Sequence, residues 1–176
     1  LFSGRHLMTD DADSMGNGQF TGVVPLDVVA REGGLSVMKG ILDGRLPGAA
    51  MAKTLNFWLT TVEEGLIVFT GTPTVDHLNP LGTIHGGWAA TIMDSSLACA
   101  VMTMIKPGEG YTTVEFKLNL TRPILPDMGE LTCEGRIVHC GRTIATSEAY
   151  LRDSSGKLLA HGTETCAIFP IDKLMR

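Results

Sequence analysis

The spacing of hydrophobic and polar positions changes several times along this chain, and each change marks a new kind of element. Residues 25–32 predict a short helix with Pro25 in its first turn, broken by Gly33-Gly34. Apolar residues at Leu35, Val37, Met38, Ile41 and Leu42 then fall near a helical stripe, and the segment 35–44 ends at Gly44 and Pro47. These two helices are expected to pack on the outside of a core. From Thr54 the period shortens to two. Segments 54–63 and 66–72 read as strands joined by a tight turn at Glu63-Glu64-Gly65, hence a hairpin. Residues 84–105 are apolar almost throughout and predict a helix buried on most sides. Four β-like runs follow, at 111–122, 129–140, 143–152 and 157–169, and their short connections predict a meander.

Two strands, one apolar helix and four strands make an α+β chain. An antiparallel sheet wrapped around the single long helix accounts for that helix's composition, which is the hotdog arrangement, here with extra N-terminal helices. The organisation read from this is a flexible segment over 1–22, a helical extension over 23–53, the main domain over 54–170 and a tail over 171–176. The first twenty residues are polar and glycine-bearing, which predicts a loose stretch.

Composition narrows the function. With 176 residues, 44% of them apolar, the chain supports a sizeable core or hides apolar surface in an oligomer. A net charge of −5 without a basic cluster argues against nucleic acid as a partner. A membrane span is disfavoured, because Asp94 and His85 interrupt the only stretch near the roughly 20 residues that spanning needs. The four cysteines form no Cys-x-x-Cys pair, and no secretory signal is evident, so a reducing cytoplasm is the expected location. There is no Rossmann fingerprint, no P-loop, no Gly-x-Ser-x-Gly and no metal-spaced His/Cys cluster, so neither a resident cofactor nor a metal is expected.

Asp94 carries the chemistry. It is the only Asp, Glu, Lys or Arg between Asp76 and Lys106. A carboxylate there is costly to desolvate, and filling a core does not call for one. The same helix opens with Gly86-Gly87, and such an end offers backbone N–H groups to a negative oxygen. A carboxylate and an anion-stabilising helix end on one segment suggest hydrolysis.

The stretch His77-x-Asn79-x-x-Gly82-x-x-His85-Gly86-Gly87 followed by Asp94 resembles the PaaI/acyl-CoA thioesterase branch of the hotdog superfamily. So does Gly141-Arg142 with the later Gly156-Lys157-Leu158-x-Ala160-His161-Gly162. The resemblance spans about residues 54–169. It implies hydrolysis of an acyl- or aryl-CoA thioester, with coenzyme A as part of the substrate. Asp94 would be general base or nucleophile, and the Gly86 N–H would bind the thioester oxygen. Asn79 would hold the attacking water or the carboxylate, and Thr113 would approach that water.

Gly86 and Asp94 are eight residues apart, about 12 Å along a helix axis. One chain therefore does not readily assemble the site, and a two-fold partner pairing Gly86 of one subunit with Asp94 of the other would. A homodimer with shared sites is expected, and the resemblance adds a dimer of dimers. His85 can cap the helix or act directly. Gly87 can donate its N–H or permit close packing, Ser95 can satisfy the helix backbone or touch substrate, and Arg142 can meet coenzyme A phosphates at a subunit edge. Two alternatives stand beside hydrolysis. A non-catalytic acyl-CoA-binding protein should lack the helix carboxylate. An enoyl-CoA hydratase is favoured only by Asp76-His-Leu-Asn-Pro-Leu81, where Gly82 stands in place of the hydratase histidine.

Overall fold

The computed structural model describes residues 18–174. Most of the flexible segment expected over 1–22, and the last two residues of the tail, lie outside the described residues. The chain runs through α1 (Leu26–Glu32), α2 (Gly34–Leu42), α3 (Ala50–Thr54), β1 (Phe57–Glu63) and β2 (Leu66–Gly71). It continues through α4 (Gly86–Met102), β3 (Glu109–Leu120), β4 (Leu131–Cys140), β5 (Ile144–Arg152) and β6 (Leu158–Pro170). The six strands form one antiparallel sheet in the order β1-β2-β4-β5-β6-β3. α4 packs against every strand from β2 to β6, so the expected architecture of a sheet wrapped on one long helix stands.

The helix lies so close because small residues face each other. A Cβ on Gly135 of β4 would sit 2.2 Å from the Ser96 carbonyl oxygen of α4. Ser96 itself is buried and donates to Ile92 O (2.8 Å) and Cys133 O (3.3 Å), which removes the cost of its hydroxyl. Ile92, Met93, Leu97 and Ala100 meet Leu131, Ala149, Leu151 and Leu159 in the core. The β1–β2 hairpin forms as expected, turning at Glu64-Gly65 with Gly65 at φ 75°. Its Gly65 N–H donates to Thr103 Oγ1 at the end of α4 (2.8 Å).

Three expectations need correction. The final four strands are not one meander: β4, β5 and β6 are, but β3 lies at the far edge beside β6. The connection over 121–130 is long enough to carry the chain back across the helix, and β4 joins β2 instead. Thr54 belongs to α3, a short helix in good helix formers, and the strand starts only after Asn56 turns the chain at φ 53°. Pro25 precedes α1 as its N-cap rather than lying within it.

The extension is joined to the sheet and helix. Val37 and Met38 of α2 are buried, Met38 within the main core. Gly34 N–H donates to Ile105 O (2.8 Å), just past the end of α4. No helix among the described residues is long and apolar enough to cross a membrane.

Replacing Gly135 by alanine should destabilise the protein by about 3 kcal/mol, since the backbone of α4 must move. Urea unfolding monitored by circular dichroism measures this, and a stability equal to wild type would refute the close-approach argument.

Candidate active site

Asp94 sits midway along α4 on a half-buried stripe with Ala90, Thr91, Ser95 and Ala98, spaced three and four residues apart. No residue between Trp88 and Ile105 is fully exposed. Among the described residues no hydrogen bond or ion pair reaches the Asp94 carboxylate, and burial raises its pKa above the usual aspartate range. An unpaired, partly desolvated carboxylate is a stronger base than one in water.

The helix end is divided between two hollows. His85 is the N-cap of α4, and its Nδ1 accepts from the Gly87 N–H (2.9 Å). The capping role considered for His85 is therefore filled, and the Gly87 N–H is occupied. The Gly86 N–H has no partner among the described residues and remains available to an oxygen. Gly86 faces a hollow of about 300 Å³ that it shares with Asn79, Leu120 and Arg122. The Asn79 side chain holds its own loop: Oδ1 accepts from Leu81 N and Thr83 N, and Nδ2 donates to Thr83 Oγ1 (2.7 Å).

Gly87 opens on a different, larger and mainly apolar cavity of about 640 Å³, within the usual size for small-molecule sites. α3 forms one wall through Ala50, Met51 and Thr54; His77, Trp88 and Thr91 line the rest. Trp88 is buried and fixed by its indole N–H to Leu55 O (2.7 Å). His77 is held by Thr74 N–H on Nδ1 (2.9 Å), while Nε2 lies 3.2 Å from Thr54 O. Thr91, the last helix residue in the lining, is three residues before Asp94, about one helical turn; Asp94 itself does not line the cavity.

Behind Asp94 lies a group the sequence reading missed. Glu164 of β6 is 1% exposed, accepts from Thr113 Oγ1 (2.8 Å) and Cys166 Sγ (3.1 Å), and has its pKa raised by burial, with the Asp94 charge adding. The missed signal is parity: Gly162, Glu164, Cys166 and Ile168 alternate inward, so Glu164 stands on the core face of its strand. Thr113 is bonded to the Glu164 carboxyl group, which in turn feels the Asp94 charge. Ser95 is half-buried on the same stripe as Asp94. Arg142 is elsewhere, exposed in the β4–β5 turn near Lys106, beyond the opposite end of α4 from Gly86.

Cysteine is a poor nucleophile here. Burial pushes the Cys99 and Cys133 thiols up to about 12, with Asp94 and Glu164 adding to the effect on Cys99. Both therefore stay protonated at neutral pH. No group of His, Cys, Asp and Glu suited to a metal occurs among the described residues.

The chain is similar in sequence and fold to known proteins. The family model of the thioesterase superfamily matches residues 81–160. A presumed esterase of Caenorhabditis elegans is 36% identical over 96 residues, 53% of this chain and 55% of that protein, so the chain spans about half its length. Human acyl-coenzyme A thioesterase 13 is 28% identical over 125 residues, 66% of this chain and 87% of that protein. The crystal structure of a presumed thioesterase related to phenylacetic acid degradation, from Ralstonia eutropha JMP134, superposes with a TM-score of 0.68. It is 28% identical, over 74% of this chain and 98% of that one.

A raised carboxyl pKa means the folded state holds the proton more tightly than the unfolded chain. Stability from Asp94 is therefore fully present below its unfolded pKa and is lost as pH rises through its folded one. Asp94→Asn should melt higher than wild type at neutral pH, with the gap closing in acid. Calorimetry from neutral pH to below the usual aspartate range tests this, and an equal or lower melting temperature at neutrality would contradict it.

Proposed function

We propose that this chain, which belongs to the thioesterase superfamily through residues 81–160, hydrolyses acyl- or aryl-CoA thioesters in a homodimer with shared sites. The observation that carries this is Asp94, an unpaired and partly desolvated carboxylate on a helix whose first N–H has no partner among the described residues.

The roles follow from these positions. Asp94 takes a proton from water as the water oxygen bonds to the thioester carbon, or attacks that carbon itself. The Gly86 N–H of the other subunit receives the negative charge that develops on the carbonyl oxygen. The C–S bond then breaks and coenzyme A leaves as a thiolate. On the water route it recovers the proton held by Asp94. On the direct route water then cleaves the Asp94–acyl anhydride, freeing the acid and the carboxylate and giving the thiolate its proton. A thiolate leaves readily, so a carboxylate and an oxyanion donor suffice without a serine nucleophile. The acyl group fits the apolar cavity beside α3, whose lining ends at Thr91, one helical turn before Asp94. Asn79 keeps the loop beside Gly86 in shape, Gly87 and Ser95 border the substrate, and His85 holds the helix end open. Arg142, with Lys106 nearby, is a cation for the coenzyme A phosphates at the far edge of a subunit.

Support for the dimer comes from β3. It is an edge strand with one side bonded to β6 and an exposed row of Val114 (63%), Phe116 and Leu120. A long, apolar open edge is a surface that proteins normally cover. A two-fold copy along β3 would also shorten the 12 Å gap along one helix by bringing a second α4 alongside. Pairing of such dimers into tetramers belongs to the same proposal.

Thiol release from a panel of phenylacetyl-, hydroxybenzoyl- and hexanoyl-CoA tests the reading. Asp94→Asn should lower kcat by about 100-fold or more. Gly86→Pro removes one N–H at the first helical position, where proline is tolerated, and should cost about 100-fold with the helix intact by circular dichroism. Mixing the two inactive variants should restore activity, to about a quarter of wild type if subunits reassort freely into two-site dimers. No turnover by folded wild type would overturn hydrolysis and favour binding without catalysis; no restoration on mixing would overturn the shared site.

A further inference from the structure

Glu164 is conspicuous for what it does not do. It is 1% exposed on the core face of β6, where its sheet neighbours are Phe116 on β3 and Ser147 on β5. Its Oε1 accepts twice, from Thr113 Oγ1 (2.8 Å) and Cys166 Sγ (3.1 Å), while Oε2 and the Ser147 hydroxyl have no partner among the described residues. A carboxyl group spent only on stability would not leave a buried oxygen unpaired, since that costs what a leucine there would avoid. The groups that face it are Thr113, Glu115 and Tyr111 from β3, Cys166 on its own strand, Ser147 from β5, and Asp94 and Cys99 from α4.

A threonine hydroxyl has one hydrogen and two lone pairs. Because Thr113 gives its hydrogen to Glu164, only lone pairs remain for any other contact. We propose that Glu164 is a positioning residue that fixes the Thr113 hydroxyl as an acceptor toward the attacking water. This rests on the hydrolase reading and on its water route. The water then gives one hydrogen to Asp94 and the other to Thr113, which leaves its lone pair directed at the thioester carbon. As Asp94 takes the proton, the O–C bond forms and the carbonyl π pair moves to oxygen; Thr113 and Glu164 exchange no proton. Burial and the Asp94 charge both favour the protonated form of Glu164, whereas the Thr113 hydrogen bond favours the ionised one.

Hexanoyl-CoA hydrolysis by Glu164→Gln, Thr113→Val and the double variant tests this, with Thr113→Ser as the conservative rescue. Each single variant should lose about 10-fold in kcat with KM little changed, and the double variant should lose no more than either, the sign of one coupled unit. Thr113→Ser should recover most of the activity. Carbon-13 NMR of the Glu164 carboxyl gives a readout independent of turnover: Thr113→Val should raise its titration midpoint, because a hydrogen bond to the charged form is gone. Losses that multiply in the double variant, a Glu164→Gln enzyme as fast as wild type, or an unmoved midpoint would each overturn the inference. A folded wild type that releases no thiol from any substrate overturns the hydrolase reading and this inference with it. An active wild type with independent losses overturns this inference alone.

Discussion

Enclosing α4 is the constraint on which the rest of the structure depends. Its residues are apolar nearly all round, so no single flat face can bury it, and the sheet must contact it along most of its length. That contact is tight only because Gly135 lacks a side chain where the Ser96 carbonyl passes. Even so, one stripe of the helix stays half-buried, the stripe bearing Thr91, Asp94 and Ser95. The carboxylate is therefore placed by default at the seam between a finished core and an unfinished surface. Its partial desolvation, and so its basicity, follows from the same packing that holds the sheet together.

The site is spread over three places in one subunit. Gly86 looks into one hollow beside Asn79, Gly87 into the apolar cavity under α3, and Asp94 toward Thr113 and Glu164. His85 separates the two helix-end N–H groups by capping one and leaving the other free. The unpartnered Gly86 N–H and the Asp94 carboxylate lie about 12 Å apart along one helix axis, too far for both to reach one carbonyl in the proposed reaction. In the proposed homodimer a two-fold copy would join them, and the exposed apolar residues of β3, Val114, Phe116 and Leu120, are the surface on which it would pack.

Much of this was legible in the chain. The helix announced itself by composition, the hairpin by Gly65, and Asp94 by being the one charge in a long neutral run. What was lost was lost for physical reasons. α3 has five residues, too few to display a helical period, and it abuts a strand whose alternation absorbs Thr54. The partner of β3 is fixed by chain closure around a helix rather than by any local pattern, so a row of strands suggested a meander. Glu164 was overlooked because a glutamate between threonines reads as solvent-facing, and only the register against Cys166 and Ile168 shows that it points inward. Asn79 and Arg142 show the converse: a motif position identifies a residue, but the loop bonds of Asn79 and the distant turn carrying Arg142 become visible only in three dimensions.

The roof over the apolar cavity and the groups that surround Asp94 are written in separate stretches of the chain. α3 ends at Thr54, well before the matched stretch begins at residue 81, yet it is secured to α4 through Leu55 and the Trp88 indole. Substitutions at Ala50 or Met51 alter one wall of the cavity, whose lining includes neither Asp94 nor Gly86. In the proposed hydrolase, a change confined to this five-residue helix would alter which acyl group the cavity admits while leaving Asp94 and the Gly86 N–H in place.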